Sequence, residues 1–240
     1  MSAPVSPVVD GGGRGAVAHL KNRAREAAHA LLAPAARSLA GFGVRADHIT
    51  WTGLALGVLA GFAFFDGHSR LAAVFLAFAG VCDILDGEMA HQSGVTSRFG
   101  AFLDSTLDRV GEAAALVGIA GFCLRNLVAL IYQPAQVLEQ MAIGLTPATW
   151  GVLAFVALLA LVGSYMVSYT RARAEGLGLD CKVGWFERPE RLVLLIIAGA
   201  LKVFWAMSIA LLLLTIFSFV TAAQRVAHVH RLTREAGLDA

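Results

Sequence analysis

The chain has 240 residues, 58% of them hydrophobic and only 15% charged, with a formal net charge of +2 and a mean hydropathy of +0.70. A soluble domain of this size carries roughly a quarter charged residues, so an ordinary soluble globular domain is excluded and the chain falls in the membrane class. Nothing in the charge balance calls for a nucleic-acid partner.

Residues 1–15, rich in Pro and Gly and without an apolar core segment, read as a disordered tail with no secretory signal. Residues 16–43 read as an amphipathic helix on an anionic membrane surface. Leu20, Ala24, Ala27 or Ala28, and Leu31 form its apolar side, and Lys21, Arg23, Arg25 and Arg37 lie away from it. Six apolar spans follow within 49–223, near 49–65, 71–90, 98–122, 148–170, 190–204 and 205–223, the last two short and joined by a tight turn near Lys202. Gly53, Gly57 and Gly61 give the first span a small-residue face for close helix packing. Residues 124–147 form an external link with room for a short interfacial helix, and residues 224–240 form a cytoplasmic tail. The expected architecture is therefore all-α: a polytopic membrane domain over 16–240 with six transmembrane helices after a surface helix.

The basic residues support this topology. With both termini on one side, that side collects every Lys and Arg except Arg70, Arg125 and Lys202, which places the termini in the cytoplasm of a multi-pass cell-membrane protein. Trp51, Trp150, Trp185 and Trp205 lie near span ends, as interfacial aromatic belts do. Cys82, Cys123 and Cys181 are widely spaced and form neither a disulfide framework nor a zinc site. His228 and His230 read as surface residues.

The chemistry is concentrated at the junction of the second and third spans. Asp83 and Asp86 are three apart and Asp104 and Asp108 four apart, so each pair shares a helix face. A short loop joins the two helices, which makes them antiparallel neighbours whose four carboxylates converge near the cytoplasmic boundary. Ionised carboxylates there are costly unless paired or metal-bound. Oxygen-only ligands select hard divalent ions, and a pair of Mg²⁺ (or Mn²⁺) ions per site is the usual clamp for in-line displacement at phosphorus. Gly87 and Gly100 leave room for a close approach. The plainer alternative is ion pairing of the acids with Arg98 and Arg109.

The stretch resembles the signature of the CDP-alcohol phosphotransferase family, D-x2-D-G-x2-A-R-x8-G-x3-D-x3-D, at Asp83, Asp86, Gly87, Ala90, Gly100, Asp104 and Asp108. It departs at His91, where the family has arginine. The resemblance implies that Asp83, Asp86, Asp104 and Asp108 hold the metals and that Asp108 is the general base on the acceptor hydroxyl. It places the CDP part of the donor near Gly87 and the Asp47–Thr50 segment, with His91, Arg98 and Gly100 alongside. A neutral imidazole at His91 gives one donor where guanidinium gives a bidentate fork, implying weaker donor binding or compensation by Arg98. The family resemblance also implies a homodimer, with which the glycine face of the first span is compatible.

The loop between the fourth and fifth spans carries Tyr169, Arg171, Arg173, Lys182, Glu187, Arg188 and Arg191. Beside a metal site, such a group suits a phosphate-bearing acceptor, although basic residues at helix ends also follow from the positive-inside rule. The words around Asp104–Arg109, Tyr169–Glu175 and Glu187–Arg191 resemble the phosphatidylinositol-phosphate synthase branch and its archaeal relatives. By that resemblance the donor is a CDP-linked lipid such as CDP-diacylglycerol and the acceptor is inositol 1-phosphate. Arg171, Arg173, Lys182, Arg188 and Arg191 would form the acceptor phosphate pocket. The alternatives are glycerol 3-phosphate or another phosphorylated alcohol as acceptor, a soluble CDP-alcohol donor, a divalent-cation transporter, or a non-catalytic CDP-lipid-binding relative.

Overall fold

The structure, a computed structural model, describes residues 12–93, 98–132 and 139–235, without the side chains of residues 12–22, 24, 25 and 91–93. Among the described residues the fold is all-α. Its helices are α1 (Gly12–Gly41), α2 (Ala46–Phe65), α3 (Ser69–Ser93), α4 (Arg98–Tyr132), α5 (Pro147–Gly176), α6 (Arg188–Leu201) and α7 (Phe204–Glu235), with a short helical segment at 139–142. Of the expected tail over 1–15, residues 1–11 lie outside the described residues and residues 12–15 already belong to α1.

Local chemistry accounts for the boundaries. Thr146 caps α5 by accepting from the Thr149 N–H at 3.1 Å, and Pro147 fills the first turn where no N–H is needed. The turn between α6 and α7 falls at Lys202, whose left-handed backbone (φ 53°) ends α6. α4 runs ten residues beyond the expected end at 122, because no proline interrupts it before Pro134 and Cys123 and Leu130 are buried in the core. α7 likewise continues through most of the expected tail, and the reason is Arg225: this 2%-exposed side chain donates to the carbonyls of Val183 and Val167.

α2, α4, α5 and α7 are long and apolar enough to cross a membrane. By length and composition alone α3 and α6 do not qualify: α3 carries Arg70, Asp83, Asp86 and Glu88, and α6 has 14 residues, about 21 Å of helix. Large apolar side chains are exposed on every one of these helices, among them Phe62, Phe78, Val117, Phe155, Ile197 and Ile209. Apolar exposure on that scale is foreign to a soluble monomer.

The small-residue face of α2 is used inside the chain. A methyl group on Gly57 would lie 2.8 Å from the Gly111 Cα, and one on Gly61 would strike the Ala114 backbone. Gly53 faces Cys82 of α3. Among the described residues α2 is thus wedged between α3 and α4, which, unlike the expected neighbours, pack little along their lengths and meet at their acid-bearing ends. A backbone-to-backbone approach of this kind needs glycine. The glycine face is consequently not available to a partner subunit.

Trp150 departs from the expected aromatic belt. It is 4% exposed and packs edge-on against Phe122 and Phe204. Its indole N–H donates to the Gln140 side chain at 2.9 Å, and that satisfied donor permits burial. Trp51, Trp185 and Trp205 are exposed. The three cysteines are free. His228 is half-buried, with its ring against the Asp180 carbonyl at 3.3 Å, while His230 is exposed.

Candidate active site

Four helices build the site: α2 near its start, α3 near its end, and α4 and α6 in their first turns. Carboxylate oxygens of Asp83, Asp104 and Asp108 all lie within 4.8 Å of one another. Asp86, one turn on from Asp83, is 5% exposed and accepts from the Thr50 hydroxyl at 2.8 Å. The four acids therefore gather at one end of the bundle, three as a tight group and the fourth anchored beside them by α2. Three of them, Asp83, Asp86 and Asp108, border a narrow cavity of about 30 Å³ whose polar lining also includes Thr50, Glu112 and Arg188. That volume suits an ion or a water or two.

Two arginines of α6 enter from the opposite side. Arg188 Nη1 lies 2.9 Å from Asp83 and 2.6 Å from Asp108. One turn further on, Arg191 Nε and Nη2 hold the two oxygens of Glu112 at 2.6 and 2.9 Å. Glu112 is four residues after Asp108 on α4 and Arg191 three after Arg188 on α6, so the contacts form a ladder of two rungs between the helices. The upper rung faces the cavity; the lower is fully buried, with side chains 1% and 8% exposed.

The residues present fit divalent cations. The donor set is all carboxylate oxygen, which hard ions such as Mg²⁺ and Mn²⁺ prefer. Asp104 Oδ1 is buried without a hydrogen-bond partner, an acceptor in need of a positive charge. One arginine bridging two of four clustered acids leaves a local excess of negative charge.

A family model described as CDP-alcohol phosphatidyltransferase matches residues 44–223. The chain belongs to this family. It is 36% identical over 191 residues to the archaetidylinositol phosphate synthase of Pyrococcus horikoshii, covering 79% of this chain and 86% of that one. Solved structures of the Mycobacterium tuberculosis phosphatidylinositol phosphate synthase share the fold at 30% identity. The complex with manganese and citrate has a TM-score of 0.67 and covers 82% of this chain and 87% of that one. The CDP-DAG-bound structure has a TM-score of 0.66, with 82% and 92% covered. As a CDP-alcohol phosphatidyltransferase, the protein is a transferase and an integral membrane enzyme of phospholipid biosynthesis.

Around the phosphatidyltransferase acids, the other expected residues fall into distinct settings. Gly87 borders open space, with nothing within 4 Å of where a methyl group on it would lie. Asp47 and Arg98 are exposed and Gly100 is half-buried. The His91 side chain lies outside the described residues. Thr50 is buried, with its hydroxyl 2.8 Å from the Asp86 carboxylate and 3.1 Å from the Ala46 carbonyl. Arg171 pairs with Glu175 at 2.8 Å, Lys182 lies 3.7 Å from Asp180, and Arg173 is exposed. Arg188 reaches the acids themselves. Arg191, also expected in the acceptor pocket, is 1% exposed and held by Glu112.

Two residues of this architecture were not singled out from the sequence. Glu112 continues the Asp104, Asp108 spacing by one more turn into an apolar span, where a charge is a signal in itself. Arg225 sits past the last apolar run and ties the 177–187 segment to α7 through Val183, with Glu187 at 3.5 Å.

Proposed function

We propose that the enzyme transfers a phosphatidyl-type group from CDP-diacylglycerol to the hydroxyl of inositol 1-phosphate, releasing CMP. The observation that carries the reading is the convergence of Asp83, Asp104 and Asp108 with Arg188 at one end of the bundle, in a chain whose relatives are named for this chemistry. Asp83, Asp86, Asp104 and Asp108 hold two Mg²⁺ (or Mn²⁺) ions, in keeping with the manganese complex of the mycobacterial relative. When bound, such ions neutralise the donor diphosphate.

Asp108 takes the proton of the acceptor hydroxyl, the hydroxyl oxygen bonds to the lipid-linked phosphorus, and the bond from that phosphorus to the CMP oxygen breaks. The open face at Gly87 admits the cytidine end, with Asp47, His91, Arg98 and Gly100 around it. Thr50 acts one step removed, by fixing Asp86. Arg171, Arg173, Lys182 and Arg188 receive the acceptor phosphate, with arginine suited to its bidentate recognition. Positioning and charge stabilisation dominate such transfers.

The same reading places six spans in the membrane, α3 and α6 included. Its support is the exposed apolar flank of each: Leu71, Val74 and Phe78 on α3, and Val193, Ile197 and Leu201 on α6. α1 lies on the cytoplasmic surface, where Leu31 is 79% exposed and free to enter lipid. Both termini and the site are cytoplasmic, residues 16–240 form one membrane domain, and the enzyme is a homodimer.

The test is CMP release from CDP-diacylglycerol by purified protein with Mg²⁺ or Mn²⁺, comparing inositol 1-phosphate, glycerol 3-phosphate and no acceptor. Release that requires inositol 1-phosphate, and that is lost in Asp108→Asn, is the expected result. Release with glycerol 3-phosphate instead would retain the transferase and reject the inositol assignment.

A further inference from the structure

The two rungs between α4 and α6 differ in one physical respect. Arg191 and Glu112 are buried, 1% and 8% exposed, and each satisfies the other's charge. Arg188 is 27% exposed, borders the cavity, and spends a single nitrogen on two acids at once. Both of those acids belong to the trio whose oxygens are spaced to ligate an ion. A guanidinium and a divalent cation cannot be equally well accommodated there, because each is a positive charge drawn to the same oxygens. Arg188 also sits on the carboxylate that must accept a proton: while Asp108 lies 2.6 Å from the guanidinium, its oxygen is committed to that ion pair.

The backbone beneath Arg188 is pinned on three sides. The Glu187 N–H donates to Glu190 at 2.8 Å, Arg225 lies 3.5 Å from the Glu187 carboxylate, and Arg191 is locked to Glu112. The Arg188 side chain can therefore change partners while α6 keeps its place.

We infer that Arg188 is an exchangeable counter-ion: it neutralises Asp83 and Asp108 before metal binds, and divalent cations displace it towards the acceptor phosphate. The inference rests on the reading of the acid cluster as the divalent-cation site. It adds an order to the reaction, since metal loading both releases Asp108 to act as base and presents an arginine to the incoming phosphate. Glu112 and Arg191 serve as the fixed anchor that makes the exchange reversible.

The experiment is Mn²⁺ binding to the full-length protein in detergent, followed by electron paramagnetic resonance and calorimetry with no donor or acceptor present. Removing a competing positive charge a few ångströms from the ligands should make Arg188→Gln bind Mn²⁺ about tenfold more tightly than the unaltered protein. Arg188→Lys, which keeps the charge, should stay within a few-fold of it. Mn²⁺ affinity unchanged or weakened in Arg188→Gln would overturn the inference. Asp104→Asn separates the two readings: if the unaltered protein and Asp104→Asn bind Mn²⁺ alike, the metal-site reading itself fails. Calorimetry with inositol 1-phosphate tests the second half. Its affinity should rise when Mn²⁺ is added to the unaltered protein and rise less in Arg188→Gln; equal gains in both would refute displacement of Arg188 towards the acceptor.

Discussion

Arg191 and Glu112 form a closed, bidentate ion pair inside the bundle, 79 residues apart in sequence and joined at 2.6 and 2.9 Å. It fixes the rotation of α6 against α4, and with it the reach of Arg188 to the acids one turn above. The pair connects a stability element to the site by geometry alone.

Removing one partner should therefore be far worse than removing both. Glu112→Leu leaves Arg191 as an uncompensated buried charge, and a loss of about 3–5 kcal/mol is expected. Glu112→Leu combined with Arg191→Met should recover most of that loss, because the desolvation cost of both charges disappears. Thermal unfolding in detergent of the two single variants and the double one checks this. Additive losses would show that the pair is not coupled.

Thr50→Val tests the anchoring of Asp86. The substitution is close to isosteric and deletes the donor 2.8 Å from the carboxylate. A buried charge-assisted hydrogen bond is worth about 1.5–3 kcal/mol, so Mn²⁺ affinity and turnover should both fall, about tenfold or more. Thr50→Ser keeps the hydroxyl and should remain close to the unaltered enzyme in the same titration.

The seam between α2 and α4 should not tolerate a side chain. Gly57→Val places methyl groups into the backbone at Gly111, and Gly61→Val into that at Ala114. Overpacking of this kind costs about 1–3 kcal/mol or more, and here it also separates Thr50 and Asp86 from Asp108. Melting temperature and CMP release should fall together. Gly87→Ala, with open space around it, should leave the melting temperature unchanged and is read through donor KM.

His91→Arg restores the guanidinium of the family signature at the donor end. A bidentate donor to diphosphate in place of a single imidazole N–H should lower the KM for CDP-diacylglycerol several-fold with little change in kcat. A steady-state titration of the donor distinguishes this from a change in chemistry, which would appear in kcat.

The fold and the site were legible in the sequence to different depths. The apolar runs were visible because hydropathy is a local property, and so was the acid cluster, because i,i+3 and i,i+4 spacing puts carboxylates on one face whatever the rest of the chain does. Helix ends were less legible. α4 and α7 run on through Tyr132 and Glu235, sustained by buried contacts such as Cys123, Leu130 and Arg225, which hydropathy does not report. Trp150 shows the same limit: its position near a span end predicted an interface, and the Gln140 acceptor that allows its burial lies across a turn.

The sequence by itself determined an all-helical membrane chain, four acids on two helix faces, and a family signature with a single departure at His91. Only the tertiary structure decided which arginine meets the acids. Arg188 and Arg191 are the same residue type three positions apart on one helix, yet one meets Asp83 and Asp108 at the cavity and the other is sealed against Glu112. It also decided that the glycine face of α2 closes on α4 and not on a second copy. Those outcomes depend on how helices distant in sequence are rotated and pressed together, and spacing along one helix carries no information about the face its neighbour presents.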